Sequence, residues 1–157
     1  MHGCKDRALL SVRNTAALAL LALAACADAP QAWVRVARDP NYDIFLDTAR
    51  IFQRVDGTVE VYYRTIHAAP RLHKDQEFDR EIVRSIVDCK RTWFKVAAVD
   101  MTLGEQRLVA RQRTDDFELA QQPWRRIGEG STEQMAAEAA CHFASRRMQT
   151  RIDAARK

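Results

Sequence analysis

The sequence predicts an α+β fold in which an antiparallel β-sheet of about six strands packs against one C-terminal α-helix. Segments with alternating apolar and polar residues follow one another over residues 33–113, and an alanine-rich stretch with a helix-start signal follows at Ser131. The 47% hydrophobic fraction is enough for a core, and 157 residues fit one ordinary domain. A large multi-domain enzyme and a wholly disordered chain are therefore excluded.

The first 25 residues have the layout of a secretory signal. Three basic residues precede a ten-residue apolar run, residues 16–25, which is too short to span a bilayer. Small residues directly before Cys26 resemble the lipobox of bacterial lipoproteins, in which the cysteine thiol receives the diacylglycerol. We expect a lipoprotein signal peptide over residues 1–25, lipidation of Cys26 and a lipidated tether over residues 26–32. The alternative is an ordinary signal cut, for instance after Ala29.

Loss of the signal leaves 132 residues with a net charge of +2, because the first 25 carry three basic side chains and one acidic one. So small a charge does not indicate a nucleic-acid partner, and we expect none. No later stretch is apolar enough to cross a bilayer, so contact with the membrane would depend on the acylated N-terminus. Ala27 rather than Asp follows Cys26, which by resemblance to Gram-negative sorting rules indicates the outer membrane, on its periplasmic or its surface face.

Cys89 and Cys141 are the cysteines that remain in the domain expected over residues 33–157. An exported chain meets an oxidising compartment, so we expect them to form a disulfide. A catalytic thiol is the alternative and needs a nearby base. His142 adjoins Cys141, but neighbouring residues on a helix point about 100° apart and do not face each other.

The predicted strands cover residues 33–38, 42–46, 51–55, 58–66, 81–88, 92–101 and 106–113. The segment 58–66 has the clearest alternation, with Glu60, Tyr62 and Arg64 on one face and apolar residues on the other. Residues 67–80 are polar and contain a proline, which predicts a long loop. Residues 114–130 are predicted to be irregular.

The C-terminal helix is predicted to begin at Ser131, which forms a capping box with Gln134. Its apolar positions form two stripes, the first of Met135, Ala139 and Phe143 and the second of Ala137, Cys141, Ala144, Met148 and Ile152. The basic residues at its end are expected to fray into solvent.

Several short motifs occur in a fixed order along the domain: Trp33-Val34, Ile44 to Asp47, Ile51 to Asp56-Gly57, Ser85 to Asp88-Cys89, Pro123-Trp124, Gly130-Ser131 and Cys141. In this order and spacing they resemble the surface-adhesin protein E family over about residues 32–143. The resemblance implies a curved antiparallel sheet with a C-terminal helix, tied by the disulfide. Some members of that family are adhesins that bind host matrix and serum proteins. No ligand-binding residue of the family is matched to a position in this chain.

Five basic residues gather around the predicted long loop and form a candidate partner surface: Arg64, Arg71, Lys74, Arg80 and Arg84. Such a surface would suit a protein or an acidic glycan, although acidic residues are interleaved with the basic ones. The polar segment 106–113 is typical of an edge strand, which could pair with a partner strand or with a second copy in a homodimer.

Other chemistry has weaker support in the sequence. No nucleotide-binding loop, nucleophile elbow or zinc-protease helix is present, and we expect no cofactor. Three sets of residues have both a functional and a structural interpretation: His67, His73 and Asp75 as metal ligands or solvated loop residues; Asp115, Asp116 and Glu118 as paired acids or an exposed loop; Trp33, Trp93 and Trp124 as a binding patch or core anchors. The structural interpretation is favoured for all three.

These observations together predict an envelope-anchored lipoprotein with a non-enzymatic binding or adhesion domain and no metal site. A periplasm-facing structural or assembly lipoprotein without an external ligand is the alternative. A small enzyme would require a deep pocket with clustered titratable groups.

Overall fold

The structure is a computed structural model that describes residues 33–156. The predicted signal peptide, Cys26 and the tether lie outside the described residues, as does Lys157. Within the described part of the chain, no helix is long and apolar enough to cross a membrane.

An eight-stranded antiparallel sheet, which is not closed, forms the body of the domain and confirms the predicted fold class. Its strands are β1 (Trp33–Asp39), β2 (Tyr42–Asp47), β3 (Phe52–Gln53), β4 (Val59–His73), β5 (Gln76–Asp88), β6 (Trp93–Leu103), β7 (Arg107–Arg113) and β8 (Arg125–Arg126). Six of them follow the order β1-β2-β4-β5-β6-β7, while β3 pairs with β4 and β8 with β6. The prediction of an edge strand is confirmed, because β7 is the last strand at one edge of the sheet.

The prediction of a long loop over residues 67–80 is wrong, because this segment continues β4 and β5 as a projecting hairpin. Its turn is Lys74-Asp75, and both residues have a positive φ, 48° and 64°. The pairing register shifts between Ile66 and Arg71, which accommodates Pro70 without a ladder hydrogen bond. Turns of this kind usually contain Gly or Asn, so the sequence carried no turn signal here.

The region predicted to be irregular contains β8 and a short helix, α1 (Asp116–Gln121). Asp115 caps α1, since its side chain accepts a hydrogen bond of 2.8 Å from the backbone N–H of Glu118. Asp116 and Glu118 lie in the first turn, where negative charge favours the helix. The three acids therefore have a structural explanation.

The second helix, α2 (Thr132–Ala155), begins as predicted, with the Ser131 side chain accepting from the Gln134 backbone N–H at 3.1 Å. It does not fray where expected but continues to Ala155. Its buried residues are Ala136, Ala137, Ala140 and Ala144. Both predicted stripes are therefore only partly correct, because Met135, Met148 and Ile152 are exposed. Ala139, Cys141 and Phe143 are partly buried and also pack against the core.

The main core lies between α2 and one face of the sheet. Leu46, Val61 and Val87 project from three strands into it, and each is at most 1% exposed. The Cys89–Cys141 disulfide confirms the predicted pairing and joins the turn after β5 to the middle of α2, with 5.7 Å between the Cα atoms.

Two turns at strand ends have the same Asp-x-x-Arg construction. The Asp47 carboxylate accepts the backbone N–H groups of Ala49 and Arg50, and the Arg50 Nε at 2.6 Å. At the end of β5, two strands from β2 in the sheet, the Asp88 carboxylate accepts hydrogen bonds from the backbone N–H groups of Lys90 and Arg91 and from Arg91 Nε at 2.7 Å. Charge-assisted bonds of this kind close the turn and hold each guanidinium in a fixed direction.

Candidate functional site

The side of the sheet opposite α2, which we call the open face, presents alternate residues of the strands that pack the core. Phe45, Tyr62 and Arg64 lie on it because their chain neighbours point into the core. The register places Phe45 directly beside Arg64, and Tyr62 beside Arg84. A shared face thus brings together residues that are far apart in the sequence.

Arginine and aromatic side chains interleave at the β1 side of the open face. The Arg64 guanidinium lies over the Trp33 ring at 4.8 Å and over the Phe45 ring at 5.2 Å. Arg50, held by Asp47, lies over the Tyr62 ring at 4.3 Å and also contacts Trp33, at 5.7 Å. The rings hold the guanidinium planes in place by cation–π attraction, which preorganises them for a planar anionic group.

Three guanidinium groups of the open face have a buried Nε atom with no hydrogen-bond partner among the described residues: Arg64, Arg80 and Arg84. Arg80 has Glu105 at 3.1 Å, and Arg84 has a longer contact with Glu60, 3.9 Å. Arg64 has no carboxylate within 4.0 Å in the described part of the chain. Of the three cations, Arg64 is thus the least neutralised.

The electrostatic environment of Arg64 agrees with this geometry. Burial of its guanidinium and the positive charge of Arg80 lower the pKa of Arg64, against the opposing effect of the Glu105 and Asp47 carboxylates. A bound anion would counteract this effect, since it would place an opposite charge next to the guanidinium.

The structure divides the predicted partner surface into two groups. Arg64, Arg80 and Arg84 lie together on the open face, whereas Lys74 occupies the exposed turn of the β4–β5 hairpin. Arg71 lies on the hairpin as well, at the rim of a cavity on the α2 side of the sheet. The five residues therefore do not form one surface.

The sequence also missed members of the open-face cluster, namely Arg50, Phe45 and Tyr62. The signals that could have found them are the Asp-x-x-Arg turn and the shared alternation of two neighbouring strands. Core anchoring by tryptophan is confirmed only in part. Trp124 packs against a small buried cluster that includes Leu119, while Trp33 and Trp93 are half-buried beneath arginine side chains.

A cavity of about 370 Å³ lies between α2 and the sheet. Its lining is largely apolar, with Tyr63 and Val83 among the residues, and burial raises the pKa of the Tyr63 hydroxyl, which donates to the Ala136 carbonyl at 3.3 Å. His67 Nε2 lies 3.3 Å from Glu81 at the polar end of this cavity. Arg71 and Glu133 also line the cavity.

The predicted alternatives involving metal ligands are separated in space. His67 is buried against the Phe78 ring, at 5.7 Å between ring centres, whereas His73 and Asp75 are at the tip of the hairpin. Among residues 33–156, no three potential ligands come together in a geometry that could hold a metal ion.

Comparison with known proteins adds to this geometry. A protein-family model described as surface-adhesin protein E matches residues 33–142, from the start of β1 through both disulfide cysteines. No curated protein and no solved structure shows significant similarity to the chain. The family description supports an adhesion-type, non-enzymatic role and a location in the envelope or at the cell surface. The chain belongs to the surface-adhesin protein E family.

Proposed function

We propose that this protein is a lipoprotein of the outer membrane that binds an acidic partner, a protein or an acidic glycan, through the open face around Arg64. The observation that carries this proposal is the Arg64 guanidinium. It lies over two aromatic rings, its Nε has no hydrogen-bond partner among the described residues, and no carboxylate of residues 33–156 lies within 4.0 Å. Binding without catalysis agrees with the adhesion role that the family description supports.

Binding to a sulfated polysaccharide, with a carboxylated one for comparison, tests this site. Arg64→Gln removes the charge and the planar donor fork, and we expect affinity to fall about tenfold to a hundredfold, the range for a lost charged hydrogen bond. Arg64→Lys keeps the charge but not the fork, so it should recover only part of the affinity.

The matched control for this experiment is Arg71→Gln combined with Lys74→Gln. Both residues belong to the surface predicted from the sequence but lie on the hairpin, away from the open face. Because this pair removes more charge than Arg64→Gln, a similar loss of affinity in the control would mean that net charge, not the open face, governs binding. Circular dichroism checks that each variant is folded.

Anchoring through Cys26 is tested by Cys26→Ala. The variant should leave the membrane fraction, because no described helix can cross a bilayer. Unchanged membrane association would contradict lipidation.

Protease treatment of intact cells tests which side of the outer membrane the domain occupies. We expect digestion of the domain at the cell surface. Survival of the domain would favour the periplasm-facing structural or assembly lipoprotein instead.

The free side of β7 is a second contact that we propose, with a second copy of the chain or with a strand of the partner. Arg107 and Arg111 are exposed on this edge strand, and Leu108 is exposed as well. A concentration-dependent increase in mass in sedimentation equilibrium, opposed by a proline within residues 108–112, would support pairing through this edge.

A further inference from the structure

The C-terminal half of α2 projects beyond the core. Burial in α2 ends at Ala144, and every residue from Ser145 to Arg156 is exposed. At 1.5 Å per residue, residues 145–155 extend the helix by about 16 Å. These projecting turns also lie beyond residues 33–142, so the family fold does not account for them.

An apolar stripe runs along the projecting turns with arginines at its side. Met148 and Ile152 follow Ala144 at four-residue intervals and so lie on one face of the helix, about 40% exposed each. Arg151 and Arg147 lie beside this stripe, and Arg156 follows Ile152 one turn further on the same face. Long arginine side chains next to apolar residues are typical of helices that lie at a lipid–water interface.

A second element widens the stripe into a surface. Arg147 Nη1 donates to the carbonyl groups of Ala49 and Ile51, at 3.2 and 3.3 Å, and this holds the helix next to β3. Phe52 of β3 is 52% exposed and lines a groove of about 300 Å³ together with Met148 and Arg151. Phe52 and the stripe thus form one apolar surface with an arginine border, which we call the proximal surface.

The proximal surface lies at the end of the domain where the described chain begins. Trp33 pairs with Asp47, and the loop that follows Asp47 carries the carbonyl groups that Arg147 contacts. Cys26 precedes Trp33 by seven residues, which span at most about 25 Å when fully extended. An acyl chain on Cys26 would therefore keep this end of the domain, rather than the hairpin, close to a bilayer.

We propose that the proximal surface docks onto a membrane that contains anionic phospholipid. Met148, Ile152 and Phe52 enter the interface, and Arg151 and Arg156 bind the lipid phosphates. Charge complementarity supports this occupant, because residues 145–156 contain four arginines and one acid, and the Asp153 carboxylate accepts a hydrogen bond from Gln149. The proposal does not depend on the acidic ligand of the open face. It concerns the end of the domain opposite to the β4–β5 hairpin.

The test uses the full chain, recovered from membranes and reconstituted into vesicles of phosphatidylcholine with or without phosphatidylglycerol. Deuterium exchange, read by mass spectrometry on peptides from residues 145–156, reports docking locally, whatever holds the N-terminus. We expect exchange to slow about tenfold only with phosphatidylglycerol, as for a docked state favoured about ten to one. Peptides from β4 and β5 should not change.

Two matched variants make the result specific. Arg151→Gln with Arg156→Gln should abolish the protection, since each arginine near an anionic surface contributes about fivefold to binding. Arg146→Gln with Arg107→Gln changes the net charge equally but lies on the far side of α2 and on β7, so protection should persist. Met148→Ser with Ile152→Ser should also remove protection. Circular dichroism checks that every variant keeps its helix.

Other results would overturn the proposal. Equal protection with and without phosphatidylglycerol, or equal loss in both arginine variants, would exclude specific docking of the proximal surface on anionic lipid. Protection that depends on protein concentration and also occurs in detergent would assign the surface to a second copy of the chain. None of these outcomes bears on the Arg64 experiment, so the two proposals fail separately.

Discussion

Removal of the Cys89–Cys141 disulfide should loosen α2 before it unfolds the sheet. The bond closes a loop with a sequence separation of 52, which corresponds to about 4 kcal/mol of stabilisation through restriction of the unfolded chain. It is the covalent link between the turn after β5 and the helix. We therefore expect Cys89→Ala combined with Cys141→Ala to lower the free energy of unfolding by about 4 kcal/mol.

The helix depends on this bond because its buried side is made of alanine. Four alanines are the buried residues of the helix, and each contributes one methyl group, while Ala139 and Phe143 are only partly buried against the core. At about 0.8 kcal/mol per buried carbon, the four together contribute about 3 kcal/mol, less than the disulfide. The strands have larger buried side chains, such as Leu46 and Val61, and an extensive ladder of their own. Loss of the bond should therefore act first on α2.

Urea unfolding followed by circular dichroism measures the free energy, and deuterium exchange locates the change. Amides of α2 should exchange faster in the double variant, while the exchange of paired β4 and β5 amides should accelerate less or remain unchanged. Reduced wild type serves as the control, since it should behave as the double variant does. A loss below about 1 kcal/mol with an unchanged denaturant slope, or equal acceleration in helix and sheet, would refute this reasoning.

Two further predictions concern the strand-end turn and the helix interface. Burial alone would raise the pKa of Asp88, but hydrogen bonds from Arg91 and from backbone N–H groups outweigh it, so this pKa lies below its usual value. The stabilisation is therefore complete above pH about 4 and is lost as the pH falls through the folded-state pKa. Asp88→Asn should cost about 1–3 kcal/mol at pH 7 and little at strongly acid pH, measured by thermal unfolding at both; an equal cost at both would contradict the assignment. Ala140 is fully buried on the side of α2 that packs against the sheet, and added methylene groups in a packed core force neighbours to shift, so Ala140→Leu should cost about 1–3 kcal/mol in urea unfolding. Exposed Ala154→Leu is its control and should have little effect.

The parts of the fold that could be predicted are those that local patterns determine. Alternation in 58–66 identified both faces of β4 correctly, and Ser131 marked the start of α2, because each depends only on nearby residues. The hairpin was missed since Lys74 and Asp75 adopt positive φ without the usual turn residues.

The open-face cluster could not be predicted for a different reason. Phe45 and Arg64 become neighbours only through the pairing of β2 with β4, and Trp33 joins them through β1. The sequence-based prediction grouped Arg71 and Lys74 with Arg64 because they are close along the chain. Closeness in sequence does not show which side of a sheet a residue faces. Strand register is a tertiary property, and it decided which cations share a surface.

The direction of the strands relates the two proposed surfaces to each other. The described chain begins at Trp33, which pairs with Asp47. The residue before Asp47, Leu46, pairs with Tyr63 of β4, and β4 then continues to His73. Ten residues of strand at about 3.3 Å each place the hairpin tip about 33 Å from the end where the chain enters. With an acyl anchor on Cys26 and the end of α2 on the lipid, the tip would be farthest from the bilayer and the open face would stand beside the bilayer rather than against it. A partner that binds Arg64 could then approach without displacing the helix, so lipid docking and ligand binding are expected to occur together rather than to compete.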